Sequence, residues 1–132
     1  MSLWHDQLPV PLVARPPLGS DVDVDVAIVG GGYSGLWSAH SLLRTDPSLR
    51  VVVIERETVG FGASGRNGGW CVGELAGGLG RAVATWGPDA GVAMTRAIID
   101  TVDVVGHVVA AEGIDCGFEP GGVVRLARST PQ

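Results

Sequence analysis

Residues 26–35 read "VAIVGGGYSG", an apolar run that ends in a cluster of glycines. A continuous apolar run of this kind is typical of a strand buried on both faces, as in a parallel sheet. The next residues are apolar at helical spacing up to "TDP" at 45–47, which ends the pattern. A second apolar run, "LRVVVIE" at 49–55, follows. Strand, helix and strand within about 30 residues predict a right-handed βαβ unit.

Three glycines lie at the predicted junction of the first strand and the helix. Gly30, Gly32 and Gly35 form G-x-G-x-x-G, and Tyr33 and Ser34 lie inside the same turn. In such a turn the first glycine permits the tight bend, the second lets the backbone approach a pyrophosphate, and the third lets helix and strand pack closely. Free N–H groups and the positive end of the helix dipole then face the phosphates. The pattern therefore predicts a dinucleotide site, and the alternative is a tight turn without a ligand.

An acidic residue ends the second predicted strand. Glu55 lies 20 residues after Gly35, and Arg56 follows it directly. A carboxylate at this register accepts hydrogen bonds from ribose hydroxyls and disfavours a 2′-phosphate, which argues against NADP. Alone, Glu55 would be interpreted as a solvated carboxylate at a strand end. Together with the glycine pattern it favours a ribose contact.

The loop after the second strand carries little side-chain bulk and one cation. Residues 62–69 read "GASGRNGG". Small residues let the backbone lie against a flat, bulky ligand with its N–H groups available. Arg66 could neutralise a phosphate or orient a ring carbonyl, and Asn67 offers a donor and an acceptor. The alternative is a flexible surface loop.

Composition excludes several classes of function. The chain has 132 residues, enough for one modest domain, and a formal net charge of −5 without a basic cluster. A nucleic-acid or anionic-membrane partner is therefore not expected. No apolar stretch reaches the about 18 residues of a membrane span, and no secretory signal is recognisable, so a cytoplasmic protein is expected. The two cysteines, Cys71 and Cys116, lack metal-site spacing and are expected to be free thiols.

The remaining segments flank the βαβ unit. Residues 1–20 carry four prolines and are predicted to form an extended N-terminal arm, from which Trp4 could dock on a neighbouring surface. The sequence "RAVATWG" at 81–87 is a short helix candidate, and Pro88 suits the first turn of a longer helix that ends near Gly113. A turn and then a strand are expected over "GFEPGGVVRLAR". The histidines of the two main predicted helices, His40 and His107, are expected to be packing or surface residues.

The stretches "DVAIVGGGYSGLWSAHSLL" at 25–43 and "VVVIERETVGFGASGRNGGW" at 51–70 resemble the N-terminal part of a known enzyme family. That family comprises the FAD-dependent oxidoreductases related to D-amino-acid oxidase, glycine oxidase and sarcosine oxidase. The "SGRNGG" loop is most similar to the branch that contains gamma-glutamylputrescine oxidoreductase. A weaker similarity continues through "WGPDAG" and "EGIDCGFEPGGVVRLAR".

The resemblance implies FAD as cofactor and assigns roles to residues. Gly30 to Gly35 would hold the pyrophosphate and Glu55 the adenosine ribose, while loop 62–69 would contact the phosphates and the region near the isoalloxazine. Ser64 and Arg66 are the favoured side-chain contacts there. The loop positions carried over are Gly62, Ala63, Ser64, Arg66, Asn67 and Gly68. The implied reaction is hydride transfer from an amine or amino-acid substrate to flavin N5, and no catalytic base is identified.

The predicted fold is therefore α/β, an incomplete Rossmann-like FAD/NAD(P)-binding βαβ unit followed by helices and the start of a substrate domain. The expected divisions are the arm at 1–20, the FAD-binding unit with its glycine-rich second loop at 21–80, and a helical segment with a first strand at 81–132. Because family members continue with further strands and a substrate domain, the chain is expected to be an N-terminal portion that, alone, binds FAD weakly or not at all and is inactive. A complementing chain is a possible partner. The alternatives are an NAD-binding Rossmann module and a non-catalytic remnant or interaction module.

Overall fold

A computed structural model describes residues 2–124 and 126 of the chain. By its internal contacts the chain divides into two compact units, Met1–Gly69 and Trp70–Gln132. The division falls before the boundary expected near residue 80. Within the second unit, Gly73 lies close to the long helix that follows, since a Cβ on Gly73 would lie 2.7 Å from the Cα of Ile99. The segment around Gly73 therefore packs with the helix that contains Ile99.

The first unit contains the predicted βαβ arrangement. A short helix α1 (Leu3–Asp6) precedes strand β1 (Val26–Val29), helix α2 (Tyr33–Thr45) and strand β2 (Val51–Ile54). The strands are parallel, with Val26 opposite Val51 and Val29 opposite Ile54. This confirms the α/β fold class. Because the strands are parallel, both carboxyl ends lie at one edge of the sheet, where the glycine turn and Glu55 follow.

An ion pair joins the amino ends of the two strands. The Arg50 guanidinium donates from Nη2 to Oδ1 of Asp25 over 3.0 Å and from Nε to Oδ2 over 3.2 Å. The Arg50 backbone N–H also donates to Asp25 Oδ2, and the Asp25 N–H donates to the Arg50 carbonyl. These hydrogen bonds from Arg50 lower the pKa of Asp25 below its ordinary value. The pair extends strand pairing beyond the ladder and so supports its register.

The second unit is built around two helices, α3 (Gly78–Trp86) and α4 (Pro88–Ala111). Gly87 joins them with φ +86°, and Pro88 occupies the first turn of α4. A Cβ on Gly91 would lie 2.7 Å from the Val83 backbone nitrogen, so the two helices meet where α4 has no side chain. Both sequence-predicted helices are confirmed.

The carboxyl end of α4 is closed by a pair of backbone hydrogen bonds. Gly113 has φ +63°, and the N–H of Ile114 donates to the Val109 carbonyl over 2.9 Å. The Gly113 N–H donates to the Ala110 carbonyl over 3.3 Å. This is a Schellman arrangement, in which a left-handed residue satisfies the last carbonyls of the helix. The prediction that Gly113 ends this helix is confirmed.

Two sequence predictions differ from the structure. The N-terminal arm is not extended throughout, because residues 3–6 form a helical turn, and the Ser2 hydroxyl caps it by accepting the His5 N–H over 3.4 Å. The strand expected near the C-terminus is not present at Val123, Val124 or Leu126, since no paired strand lies beside them in the described chain. The rest of that predicted strand, 125 and 127–128, lies outside the described residues.

Little apolar surface is buried. Within the described residues Ala82, 1% exposed, is the only buried hydrophobic residue. Val29 at the carboxyl end of β1 is 87% exposed and Ile54 at the end of β2 is 45% exposed. No helix in the described part of the chain has the length and apolarity needed to cross a membrane.

Candidate functional site

The glycine turn between β1 and α2 has the backbone geometry that only glycine adopts without strain. Gly30 has φ +105°, and its N–H donates to the Ile54 carbonyl at the end of β2 over 2.8 Å. A Cβ on Gly35 would collide with the carbonyl oxygen of Gly30. The first glycine therefore makes the bend, and the third lets α2 begin close against β1.

The amino end of α2 presents unpaired N–H groups. Gly32 is the N-cap residue and has no side chain to cap the helix. Among the described residues, the backbone N–H groups of Gly32, Ser34 and Gly35 donate no hydrogen bond. The N–H of Tyr33 donates to Ser64 Oγ over 3.0 Å. Unpaired N–H groups and the positive end of the helix dipole suit an anion such as a phosphate.

Gly32 has a role that the sequence pattern did not predict. A Cβ at this position would lie 2.9 Å from Ser64 Oγ. The pattern assigned to this glycine the close approach of a pyrophosphate. In the structure a side chain at Gly32 would block the Ser64 hydroxyl, which accepts the Tyr33 N–H in the first turn of α2.

Glu55 holds the backbone of the glycine turn. Its Oε2 accepts the Gly31 N–H over 2.8 Å, and its Oε1 accepts the Glu57 N–H over 3.0 Å. The hydrogen bond from Gly31, followed by that from Glu57, lowers the pKa of Glu55 below its ordinary value. The carboxylate is therefore ionised at neutral pH. Each of its oxygens keeps a lone pair that could accept a hydrogen bond from a ligand hydroxyl.

The glycine-rich loop lies beside the turn and is tied to it by the backbone. The Gly60 N–H donates to the Gly31 carbonyl over 3.0 Å. A 3₁₀ turn (Ala63–Gly65) follows. A Cβ on Gly65 would collide with the carbonyl oxygen of Gly60, so the loop can fold back on itself only with glycine at that position.

Asn67 uses its donors and acceptor within the protein. Its Nδ2 donates to the Tyr33 hydroxyl over 2.9 Å and to the Ser64 carbonyl over 2.8 Å. Its Oδ1 accepts the Gly69 N–H over 2.8 Å. The sequence suggested these groups as contacts to a ligand. In the structure they fasten the loop to α2.

The two arginines of the predicted site have different surroundings. Arg66 donates from Nε to the Phe61 carbonyl over 2.9 Å, and its guanidinium carbon lies 4.9 Å from the centroid of the Phe61 ring. Its terminal nitrogens have no hydrogen-bond partner among the described residues, so they can donate to a ligand. Arg56 pairs instead with Glu57, Nε to Oε1 over 3.3 Å, and its side chain is 88% exposed.

The remaining predicted loop positions, Gly62, Ala63 and Gly68, border open space. A Cβ added to Gly62 or Gly68 would meet no atom within 4 Å. The packing of the described residues therefore does not require glycine there, and a bulky group can approach the backbone from that side. Ala63 is exposed at the start of the 3₁₀ turn. At these three positions the backbone of the loop is accessible to a ligand.

The residues present fit a flavin dinucleotide. Unpaired N–H groups at the amino end of α2 suit a pyrophosphate, and the Glu55 carboxylate suits ribose hydroxyls. Arg66 adds free cationic donors beside them. By contrast, the described residues contain no group of three His, Cys, Asp or Glu side chains that could hold a metal ion, and Cys71 and Cys116 are exposed and free. Fold and site together define a Rossmann-like dinucleotide-binding unit.

Comparison with known proteins gives the family. The family model of FAD dependent oxidoreductases matches residues 25–132. The chain belongs to this family of FAD-dependent oxidoreductases, whose cofactor is FAD. No solved structure matches it.

The curated relatives are longer than this chain. The chain is 34% identical over 106 residues to gamma-glutamylputrescine oxidoreductase of Escherichia coli (strain K12), which is 80% of the chain and 24% of the relative. It is 30% identical over 106 residues to the probable oxidoreductase OrdL of Haemophilus influenzae, again 80% of the chain and 24% of the relative. The probable oxidoreductase OrdL of Rhizobium meliloti is 53% identical over 66 residues, 50% of the chain and 15% of that relative. The chain thus spans about a quarter of the length of the first two relatives.

Two contacts of the site were not predicted from sequence. The Tyr33 hydroxyl accepts from Asn67, and the indole of Trp4 donates to the Asn67 carbonyl. The sequence indicated only that Trp4 could dock on a surface. Neither contact has a local sequence signal, since each joins residues more than 30 positions apart.

Proposed function

We propose that this chain forms the FAD-binding part of an oxidoreductase that oxidises an amine or amino acid. The observation that carries the proposal is the amino end of α2, where unpaired N–H groups lie beside the ionised carboxylate of Glu55. Membership of the FAD-dependent family supports the cofactor. The amine substrate is supported by similarity to a relative named gamma-glutamylputrescine oxidoreductase.

The turn and Glu55 would bind the adenosine diphosphate half of the cofactor. The backbone N–H groups of Gly32, Ser34 and Gly35 would donate to the pyrophosphate, with the helix dipole aligned toward it. Glu55 keeps acceptor capacity after its two backbone hydrogen bonds and would accept from the ribose hydroxyls. An ionised carboxylate repels a 2′-phosphate, so this site would disfavour NADP.

The loop would provide the remaining contacts. Arg66 has free terminal donors for a phosphate or a ring carbonyl. The Ser64 hydroxyl, which already accepts from Tyr33, still has its own hydrogen to donate. Gly62 and Gly68 would leave the backbone open to the flat ring system.

When bound, FAD would supply the redox chemistry, with N5 as the hydride acceptor for the carbon that bears the substrate nitrogen. The residues of this chain bind and orient. No catalytic base is assigned to them. The His40 ring packs edge-on against Trp37 at a centroid distance of 5.6 Å, which is a packing role. A complementing chain and a cytoplasmic location remain predictions from sequence.

The test is retention of flavin by the 132-residue chain. The missing strands favoured weak FAD binding at most, but the proposed phosphate and ribose contacts lie within this chain. We therefore expect the purified protein, incubated with FAD, to keep a flavin absorbance band through gel filtration, and not to retain NAD. Gly35→Val should abolish retention, because its side chain would collide with the Gly30 carbonyl. Gly19→Ala is the matched control, since a Cβ there meets no atom within 4 Å. A folded wild-type chain that retains no flavin would contradict the proposal.

A further inference from the structure

The N-terminal segment reaches the glycine-rich loop through one tryptophan. Helix α1 places Trp4 so that its indole Nε1–H donates to the Asn67 carbonyl oxygen over 2.7 Å. The hydrogen bond joins residues 63 positions apart. Trp4 is 40% exposed, whereas Trp70, which directly follows the loop in sequence, is 89% exposed. The indole is therefore partly covered, within the first compact unit, by the residues it contacts.

The indole ring also fills the space beside Gly69. A Cβ on Gly69 would lie 2.9 Å from Cζ2 and 3.1 Å from Cη2 of Trp4. Gly69 has φ +75°, so its backbone favours glycine as well. The ring and the loop backbone are thus in direct contact, in addition to the hydrogen bond.

Four hydrogen bonds connect Trp4, through Asn67, to the first turn of α2 by two routes. Trp4 bonds to the carbonyl of Asn67, and the side chain of Asn67 bonds to the Tyr33 hydroxyl. Asn67 also bonds to the Ser64 carbonyl, and the Ser64 hydroxyl accepts from the Tyr33 N–H. Asn67 is the junction of these links. Its main chain faces the N-terminal segment and its side chain faces α2.

We propose that Trp4 is a positioning residue for the cofactor site, holding loop 62–69 beside the amino end of α2 so that FAD meets an ordered loop. This inference rests on the proposed function. Trp4 lies outside residues 25–132, which the family model matches, so family membership does not supply it. A glycine-rich loop loses much conformational freedom when it is ordered. A contact that orders it before binding removes part of that cost and strengthens affinity.

The same contact leaves the loop's cation accessible. Trp4, Arg66 and Gly68 line a cavity of about 340 Å³, together with Ser2, Leu3 and Asn67. The indole holds the main chain of the loop while the guanidinium of Arg66 still borders open space. Holding the loop and exposing its donors are therefore compatible in this geometry.

Trypsin gives a test that needs no cofactor. The chain has no lysine, so trypsin cuts only after arginine, and the Arg66–Asn67 bond lies at the residue that Trp4 holds. Arg44, in the last turn of α2, is the internal reference. We expect Trp4→Phe, which keeps a smaller aromatic ring but loses the donor, to raise the ratio of cleavage at Arg66 to cleavage at Arg44 by about 3-fold, and Trp4→Ala by about 10-fold.

Two variants control for general effects. Trp86→Phe changes a 50% exposed tryptophan of α3, and Leu12→Ala changes a 46% exposed residue of the arm. Neither should change the cleavage ratio. If Trp4→Ala fails to fold by circular dichroism, Trp4→Phe decides the test. An unchanged ratio in Trp4→Phe and in every folded Trp4 variant would overturn the proposal.

A second measurement distinguishes a role of Trp4 in positioning the loop for FAD from a role in loop stability alone. It is the FAD dissociation constant, measured by titration of flavin fluorescence. We expect it to rise by about 3-fold in Trp4→Phe and about 10-fold in Trp4→Ala, with both controls unchanged. A raised cleavage ratio with an unchanged dissociation constant would overturn the positioning role. A wild-type chain that binds no FAD would sink the proposed function, whereas the cleavage ratio would still report whether Trp4 holds the loop.

Discussion

Two polar side chains of this site form hydrogen bonds with main-chain groups of the loops around them. Glu55 accepts the N–H groups of Gly31 and Glu57, and Asn67 bonds to the Ser64 carbonyl and the Gly69 N–H. Hydrogen bonds of this kind satisfy main-chain groups that tight turns leave without partners. A substitution at Glu55 or Asn67 therefore changes the loop conformation as well as any ligand contact.

The pH dependence of stability should report the role of Glu55. Its pKa in the folded protein lies below the ordinary value of 4.5, because the N–H groups of Gly31 and Glu57 bond to the charged form. The stabilisation is therefore present above 4.5 and is lost as the pH falls through the lower folded-state pKa. The free energy of unfolding of the wild type should exceed that of Glu55→Gln at about pH 7, and the gap should shrink toward about pH 3.

Urea unfolding at a series of pH values measures this gap. Glu119→Gln makes the same change of charge in an exposed loop of the second unit. A gap with the same size and pH dependence in Glu119→Gln would contradict the role of Glu55.

The two glycines Gly113 and Gly80, one after a helix and one inside a helix, have opposite backbone requirements. Gly113 closes α4 in the left-handed region with φ +63°. Gly80 lies inside α3 without a positive φ, and a Cβ there meets no atom within 4 Å. The same substitution should therefore have opposite effects at the two positions, because one backbone needs glycine and the other only tolerates it.

We expect Gly113→Ala to lower the free energy of unfolding by about 1 kcal/mol, since alanine is strained in the left-handed region. Gly80→Ala should raise it by about 0.5–1 kcal/mol, because alanine has the higher helix propensity and loses less entropy on folding. Thermal or urea unfolding followed by helical circular dichroism measures both changes. Changes of the same sign in the two variants would contradict this account of the two glycines.

At the scale of the whole molecule, the chain buries little apolar surface for its length. In the part of the chain that the structure describes, the sheet has two strands, whereas parallel sheets are normally covered on both faces. Val29 and Ile54 end the strands largely or partly exposed. Stability from apolar burial is accordingly small, so ligand binding should contribute a large share of it.

FAD should therefore raise the unfolding temperature of the chain. A ligand present at about 100 times its dissociation constant adds about 2.7 kcal/mol to the free energy of unfolding, provided that it binds only the folded state. The measurement is thermal unfolding with and without FAD, and with NAD in place of FAD. We expect Gly35→Val, if folded, to lose the shift. No shift in a folded wild type at the highest FAD concentration would contradict cofactor binding by this chain.

Much of the fold was predictable from local sequence. The apolar runs before Gly30 and Glu55, and the helical spacing between them, predicted the βαβ unit because strand and helix differ in the period of their apolar residues. The left-handed Gly30 and the crowded Gly35 agree with the turn pattern, and Pro88 and Gly113 mark the two ends of α4. The strand predicted near the C-terminus failed at Val123 and Val124, since a strand needs a partner that no local pattern supplies.

The sequence by itself determined the class of the protein. The glycine turn, the acid that follows the second strand and the glycine-rich loop are each recognisable as short motifs at fixed spacing. Only the tertiary structure decided what the loop side chains contact. Asn67, expected to face a ligand, bonds to Tyr33 and Ser64, and Trp4, expected in an extended arm, bonds to Asn67. Hydrogen bonds between residues so far apart in sequence depend on how the chain folds back on itself, and no periodicity or short motif encodes them.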